Sequence, residues 1–230
     1  MSENTILPSP GQDRSLVDAL DEFRRILCPD GKIHGQEDGF DCSEQFQIVE
    51  VEARRLGFLY DGLEPLVEGG REHDLIYDAI TGTVLKFTKA SSAAYVVQIE
   101  NDTPRLRRGD LLGYLDRLIL HNEVFGDFTS FVGIGGINRG QRLITRQERV
   151  KGREARWEEI ICFMAEELGF QKLRHNHGIG YEDSYAFIRD DVAVFDMRPA
   201  NVFMAEAGVI IAVDSIPVRL NDSMRDVFVD

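Results

Sequence analysis

The stretch DMRPANVFMAEAGVIIAVDS carries four side chains whose types and spacing suit one kind of chemistry. Asp196 is followed at +2 by Arg198, at +5 by Asn201 and at +18 by Asp214, which closes an apolar run of strand character. Ends of neighbouring short strands can bring such groups to one point. Phosphoryl transfer needs that combination: a carboxylate to accept or orient a hydroxyl proton, an amide and a second carboxylate as hard oxygen ligands for magnesium, and a cation to neutralise phosphate charge.

The pattern D-x-[RK]-P-x-N, with a later Asp after an apolar strand, resembles the catalytic loop and metal-binding aspartate of protein kinases. The other parts of such a site occur in the order that fold requires. Lys86 in TVLKFT matches the lysine that holds nucleotide phosphates, and Gly69 and Gly70 precede the first strand, where a phosphate-covering loop would lie. Glu123 follows 112, 115 and 119 at steps of three or four residues, which places it on the apolar face of its helix, with Lys86 as the natural counter-charge. ITRQERVKG corresponds to the linker between lobes, where backbone groups near Gln147 and Glu148 would meet an adenine edge.

Taken together, residues 66–220 resemble the kinase-like domain of polyvalent proteins of phages and mobile elements, a family described as serine, threonine or tyrosine kinases. The segments that carry the likeness are GGREHDLIYDAITGTVLKFTK, LLGYLDRLILHNEVFGD, TRQERVKG, FMAEELGF, DMRPANVF and VDSIPV. The resemblance implies ATP and Mg2+ as cofactors, Lys86 on the phosphates with Glu123 as its partner, Asp196 as base, Arg198 toward the transferred phosphate, and Asn201 and Asp214 on the metal. Departures are also visible. Val194-Phe195 stands where His-Arg precedes the catalytic Asp, Ser215-Ile216 replaces Phe-Gly after Asp214, and the Gly-rich loop is reduced to Gly69-Gly70-Arg71. No activation segment or A-P-E run follows, which argues against control by activation-loop phosphorylation. The distance from Lys86 to Glu123 implies an insertion around Ser91 to Arg108, with Glu100 as a competing partner for Lys86.

The elements that must position these residues follow from periodicity. Apolar residues at helical spacing predict a helix from Ser15 to Leu27 and a second from about Ser43 to Leu56, with Asp41 and Glu44 as a capping box and Gly57 as its stop. A hairpin is predicted over 74–77 and 83–88, a helix over 110–124 capped by Asp110, strands near 131–137 and 142–148, and a helix over 154–168. Short strand-like runs follow after the polar patch LRHNHGIG. His175 and His177 in that patch form a His-x-His pair without an obvious third ligand, so a polar loop is the reading; Asp190-Asp191 reads as a turn and Trp157 as core. The expected architecture is α+β, a reduced two-lobed kinase-like fold with a small antiparallel sheet plus one helix, a linker and a curtailed second lobe. Its divisions are a flexible leader (1–13), a helical N-terminal extension (14–65), a first lobe of about 66–147 and a second of about 148–230.

Composition narrows the partners. The chain has 230 residues, 43% hydrophobic and 29% charged, enough for one large core or two small ones. Lys plus Arg number 26 against 40 Asp plus Glu, a net charge of −14, which opposes binding to a nucleic-acid backbone or an anionic membrane. A nucleotide held with metal ions is compatible with it. Cys28, Cys42 and Cys162 are far apart with no C-x-x-C pair, and no apolar run approaches a membrane span, so a cytoplasmic protein is expected. Expected partners are a nucleotide and a protein or small-molecule hydroxyl acceptor. The alternative is a pseudokinase or interaction module that keeps the fold, with or without nucleotide binding, transfers no phosphate and works through the helices of residues 15–56.

Overall fold

A computed structural model describes residues 7–29, 42–63, 72–88, 95–100, 103–126, 129–136 and 141–228. In chain order the elements are α1 (Leu16–Leu27), α2 (Cys42–Leu56), β1 (Leu59–Tyr60), β2 (His73–Asp78), β3 (Thr83–Thr88), β4 (Tyr95–Glu100), β5 (Thr103–Arg108), α3 (Leu111–Phe125), β6 (Ser130–Gly135) and β7 (Arg142–Glu148). There follow β8 (Gly152–Glu154), α4 (Trp157–Cys162), β9 (Gln171–Lys172), β10 (Tyr185–Arg189), β11 (Val192–Met197), β12 (Val202–Ala205), β13 (Ile210–Ala212), β14 (Ile216–Arg219) and α5 (Asp222–Phe228). The chain is α+β, and its elements fall into two compact units: residues 1–94, 108–118 and 128–149 form the first, and residues 95–107, 119–127 and 150–230 the second.

The first unit is built on a sheet of order β1-β6-β7-β3-β2, antiparallel except for the β1–β6 pair. Alternation along β3 decides its faces: Leu85 and Phe87 are fully buried and join Ile76, Val132 and Ile144 in one apolar cluster, while Lys86 and Thr88 point the other way. On that second face the Thr88 hydroxyl meets the Tyr114 hydroxyl of α3 at 3.0 Å. Side-chain oxygens cap two of the helices, that of α3 being the expected Asp110. Ser15 Oγ accepts from Asp18 N at 3.0 Å at the start of α1, and Asp110 Oδ1 accepts from Gly113 N at 2.6 Å at the start of α3. Asp41, proposed as the cap of α2, lies outside the described residues. Asp13, at the end of the stretch expected to be a leader, is tied to the sheet by Arg146 Nε at 2.7 Å and by the Ser130 hydroxyl at 2.8 Å.

The second unit has a sheet of order β14-β11-β10-β9, a smaller one of order β13-β12-β8, and the β4–β5 hairpin. Its central strand β11 is buried at every position because both faces are covered, which explains the unbroken apolar run VAVF. Val192 and Val194 pack with Phe163, Met164 and Phe187; Ala193 and Phe195 pack with Val97, Ile216 and Phe228. Within the stretch expected to be an insertion, around 91–108, the described residues form the paired strands β4 and β5, and Val97 of β4 contributes to this second core. The helix expected over 154–168 begins only at Trp157, residues 152–154 being strand, and its last turn, Phe163–Glu167, widens to π geometry. Among the described residues no helix is long and apolar enough to cross a membrane.

Candidate functional site

Asp196 sits at the end of β11 with φ 57°, a left-handed backbone that few residues other than glycine adopt. That conformation costs on the order of 1 kcal/mol and persists only where surrounding contacts impose it. Arg198 then runs extended, and Pro199–Asn201 make one 3-10 turn, closed by Asn201 N donating to the Arg198 carbonyl at 2.9 Å. Proline in the first position of the turn fixes the rotation that carries Asn201 back toward Asp196. The Asn201 Nδ2 group donates to the Asp196 carbonyl oxygen and to Asp196 Oδ2, both at 2.8 Å.

Two acceptors on Nδ2 determine the orientation of the amide, so Oδ1 is the oxygen left over for a further ligand. Val213 N donates to the Asn201 carbonyl at 2.9 Å, which holds the strand end carrying Asp214 against the turn. Asp214 is exposed, whereas Asp196 and Asn201 are buried. Burial pushes the Asp196 carboxyl above its usual value and the nearby Asp214 charge adds to the rise; the Tyr181 amide, the Arg198 charge and the Asn201 amide oppose it.

The remaining support comes from a loop that sequence reading treated only as polar. Tyr181 N donates to Asp196 Oδ1 at 2.9 Å, and Arg198 lies over the Tyr181 ring with its guanidinium carbon 3.9 Å from the centroid. Gly180, at φ 81°, lies so close that a Cβ there would stand 2.6 Å from Asp196 Oδ1. Nothing in the run HNHGIGY marks this role; glycines and an asparagine announce a turn but not what the turn touches. His177 carries a lowered pKa, from burial and from the neighbouring His175, and its ring packs edge-on to Phe228. Among the described residues no three or more His, Cys, Asp or Glu side chains gather as a metal cage.

The structure brings together Asp196, Arg198, Asn201 and Asp214 in the second unit. Lys86 is in the first unit, half-buried in mid-β3 and in register with Leu75 and Thr145. Gln147 and Glu148 pair with Val84 and Thr83 of β3 at the end of β7, beyond Arg146, where the β6 register stops. Gly69 and Gly70 lie outside the described residues. Glu123 requires a correction: it is not on the apolar face of α3 but exposed, with its carboxylate paired to Arg219 of β14. At 3.6 residues per turn Glu123 lies about 20° from both buried Leu112 and exposed Asp116, so spacing alone does not decide its face. Glu100 is likewise half-exposed and paired with Arg107 within its own hairpin.

Strand ends that gather a carboxylate, an amide and a second carboxylate on an α+β chain fit a kinase-like class. The family model of serine/threonine/tyrosine kinases found in polyvalent proteins matches residues 65–221, more than half of the chain, and the protein belongs to that family. No curated protein and no solved structure matches the chain.

Proposed function

We propose that this protein is an ATP- and magnesium-dependent phosphotransferase with a reduced two-lobed kinase-like fold, acting on a protein hydroxyl, with a small-molecule hydroxyl as the next acceptor class. The observation that carries the reading is Asn201, whose Nδ2 protons lie on Asp196, which leaves Oδ1 for a ligand, and whose backbone carbonyl holds the strand end bearing Asp214. One amide and one carboxylate are hard oxygen donors in the number magnesium takes from protein when phosphates supply the rest. Bound with the nucleotide, the metal supplies positive charge at the phosphates. Asp196 accepts or orients the acceptor proton, and its burial favours that role by raising its basicity. In the second unit Arg198 is assigned to the transferred phosphate; in the first, the family resemblance assigns Lys86, Gly69 and Gly70 to the other phosphates and the backbone at Gln147 and Glu148 to the adenine edge. Incubation with labelled ATP and magnesium should give transfer to the protein itself or to a generic acceptor, and Asp196→Ala should abolish it. Equal behaviour of wild type and variant would sink the proposal.

One feature favours a second reading, a pseudokinase or interaction module. The residues before Asp196 are Val194 and Phe195, both fully buried in apolar packing rather than polar support. A thermal-shift titration separates the two, because stabilisation by ATP with magnesium that is lost in Asp214→Ala belongs to a competent site.

A further inference from the structure

We propose that Tyr181 is a positioning residue for phosphoryl transfer, holding Asp196 through its backbone N–H and Arg198 through the face of its ring. The inference rests on the phosphotransferase reading and names what supports its two central residues in the absence of a polar pair before Asp196. Val194 and Phe195 leave no hydrogen-bonding side chain there, and Phe195 instead packs on Phe228 with ring centroids 5.1 Å apart. The support comes from the 176–184 loop.

Tyr181 is itself fixed. Its carbonyl accepts from Asn176 Nδ2 at 2.6 Å, from Ser184 Oγ at 2.7 Å and from Ser184 N at 3.0 Å, while Asn176 Oδ1 accepts from Gly178 N at 3.1 Å. With its carbonyl held, its N–H is aimed at Asp196 Oδ1, 2.9 Å away, and Gly180 allows the close approach. The ring does the second part. Arg198 Nε is buried without a hydrogen-bond partner and stands 3.6 Å from Asp196 Oδ1, outside hydrogen-bonding range. The guanidinium over the ring, 3.9 Å from the centroid, is within the range of a cation–π contact. Tyr181 therefore holds both members of the Asp196–Arg198 ion pair, the carboxylate by its N–H and the guanidinium by the face of its ring.

The test uses the full chain with Tyr181→Leu, Tyr181→Phe, Arg198→Ala and the Tyr181→Leu/Arg198→Ala double variant. Because Tyr181 is 40% exposed, leucine should be tolerated by the fold, which a melting curve checks. Expected are a roughly tenfold lower kcat for Tyr181→Leu with KM for ATP changed less than about twofold, near-normal kcat for Tyr181→Phe, and no further loss from leucine when Arg198 is already alanine. A role as mere loop filler would make leucine and phenylalanine equivalent. A second readout does not depend on turnover: the Arg198 Nε–H resonance should be ring-current shifted in wild type and Tyr181→Phe and unshifted in Tyr181→Leu. An unshifted wild-type resonance, an unchanged kcat in Tyr181→Leu, or additive losses in the double variant would overturn the proposal. A wild type that transfers no phosphate while its resonance is shifted overturns the phosphotransferase reading, and with it the catalytic purpose assigned to Tyr181, but not the hold of its ring on Arg198.

Discussion

Gly180 and Gly178 lie two residues apart in one loop, and both have left-handed backbones, φ 81° and 73°, yet their surroundings differ. A Cβ at 178 would meet nothing within 4 Å, whereas at 180 it would stand 2.6 Å from Asp196 Oδ1 and 2.7 Å from its Cβ. Alanine at 178 therefore carries only the backbone penalty of about 1 kcal/mol, or roughly 3 °C in Tm for a chain of this size. Alanine at 180 adds a steric clash with Asp196, and about 3 kcal/mol, near 10 °C, is expected together with loss of turnover. Melting curves of the two variants check this; equal losses would mean that Gly180 serves the turn and not the carboxylate. The meeting of Asp196, Arg198 and Asn201 could be read from the sequence because their contacts are local, within a six-residue stretch that turns at Pro199. Tyr181 could not, since its hydrogen bond to Asp196 spans fifteen residues and uses a backbone atom that every residue other than proline possesses.

At the scale of elements, the β2–β3 hairpin was predictable because its turn chemistry and alternation agree. Asp78 Oδ1 accepts from Ile80 N at 3.0 Å and Thr81 N at 3.3 Å, and its Oδ2 accepts from the Thr81 hydroxyl at 2.7 Å. The Thr81 hydroxyl, more than the backbone amides, holds the Asp78 carboxyl below its usual value. A folded pKa that is depressed means stability present above the unfolded value of about 4 and lost as pH falls through the folded one. Asp78→Ala should thus be less stable than wild type by about 1 kcal/mol at pH 7. Denaturant melts should show the gap closing as pH drops below roughly 4, and a gap independent of pH would remove the charge from the explanation. The β4–β5 hairpin was less legible. TPRLRR alternates charge with apolar residues, yet its packing partners Ile216 and Phe228 lie more than a hundred residues on. Glu123 shows the opposite limit, where periodicity places a residue on a helix but leaves its face in doubt once the apolar stripe is broad.

For the whole molecule, the net charge of −14 bears on the proposed binding of a triphosphate. An ATP molecule without metal brings several negative charges to a site that already holds Asp196 and Asp214. On the proposed reading Arg198 alone of the second unit's site does not offset both the phosphates and these carboxylates, so affinity should depend steeply on divalent metal. Thermal shift can measure this: ATP with magnesium at about 100 times Kd should stabilise by roughly 2.7 kcal/mol, a Tm rise on the order of 5–10 °C. ATP alone should give little, and potassium chloride at equal ionic strength should not replace magnesium, because screening weakens long-range repulsion without ligating oxygen. Asp214→Ala should lose the magnesium increment while leaving the melting temperature of the free protein nearly unchanged, since Asp214 is exposed. Equal stabilisation by ATP with and without metal would place the nucleotide away from Asn201 and Asp214, and the acidic balance of the chain would then have no part in how it selects its ligand.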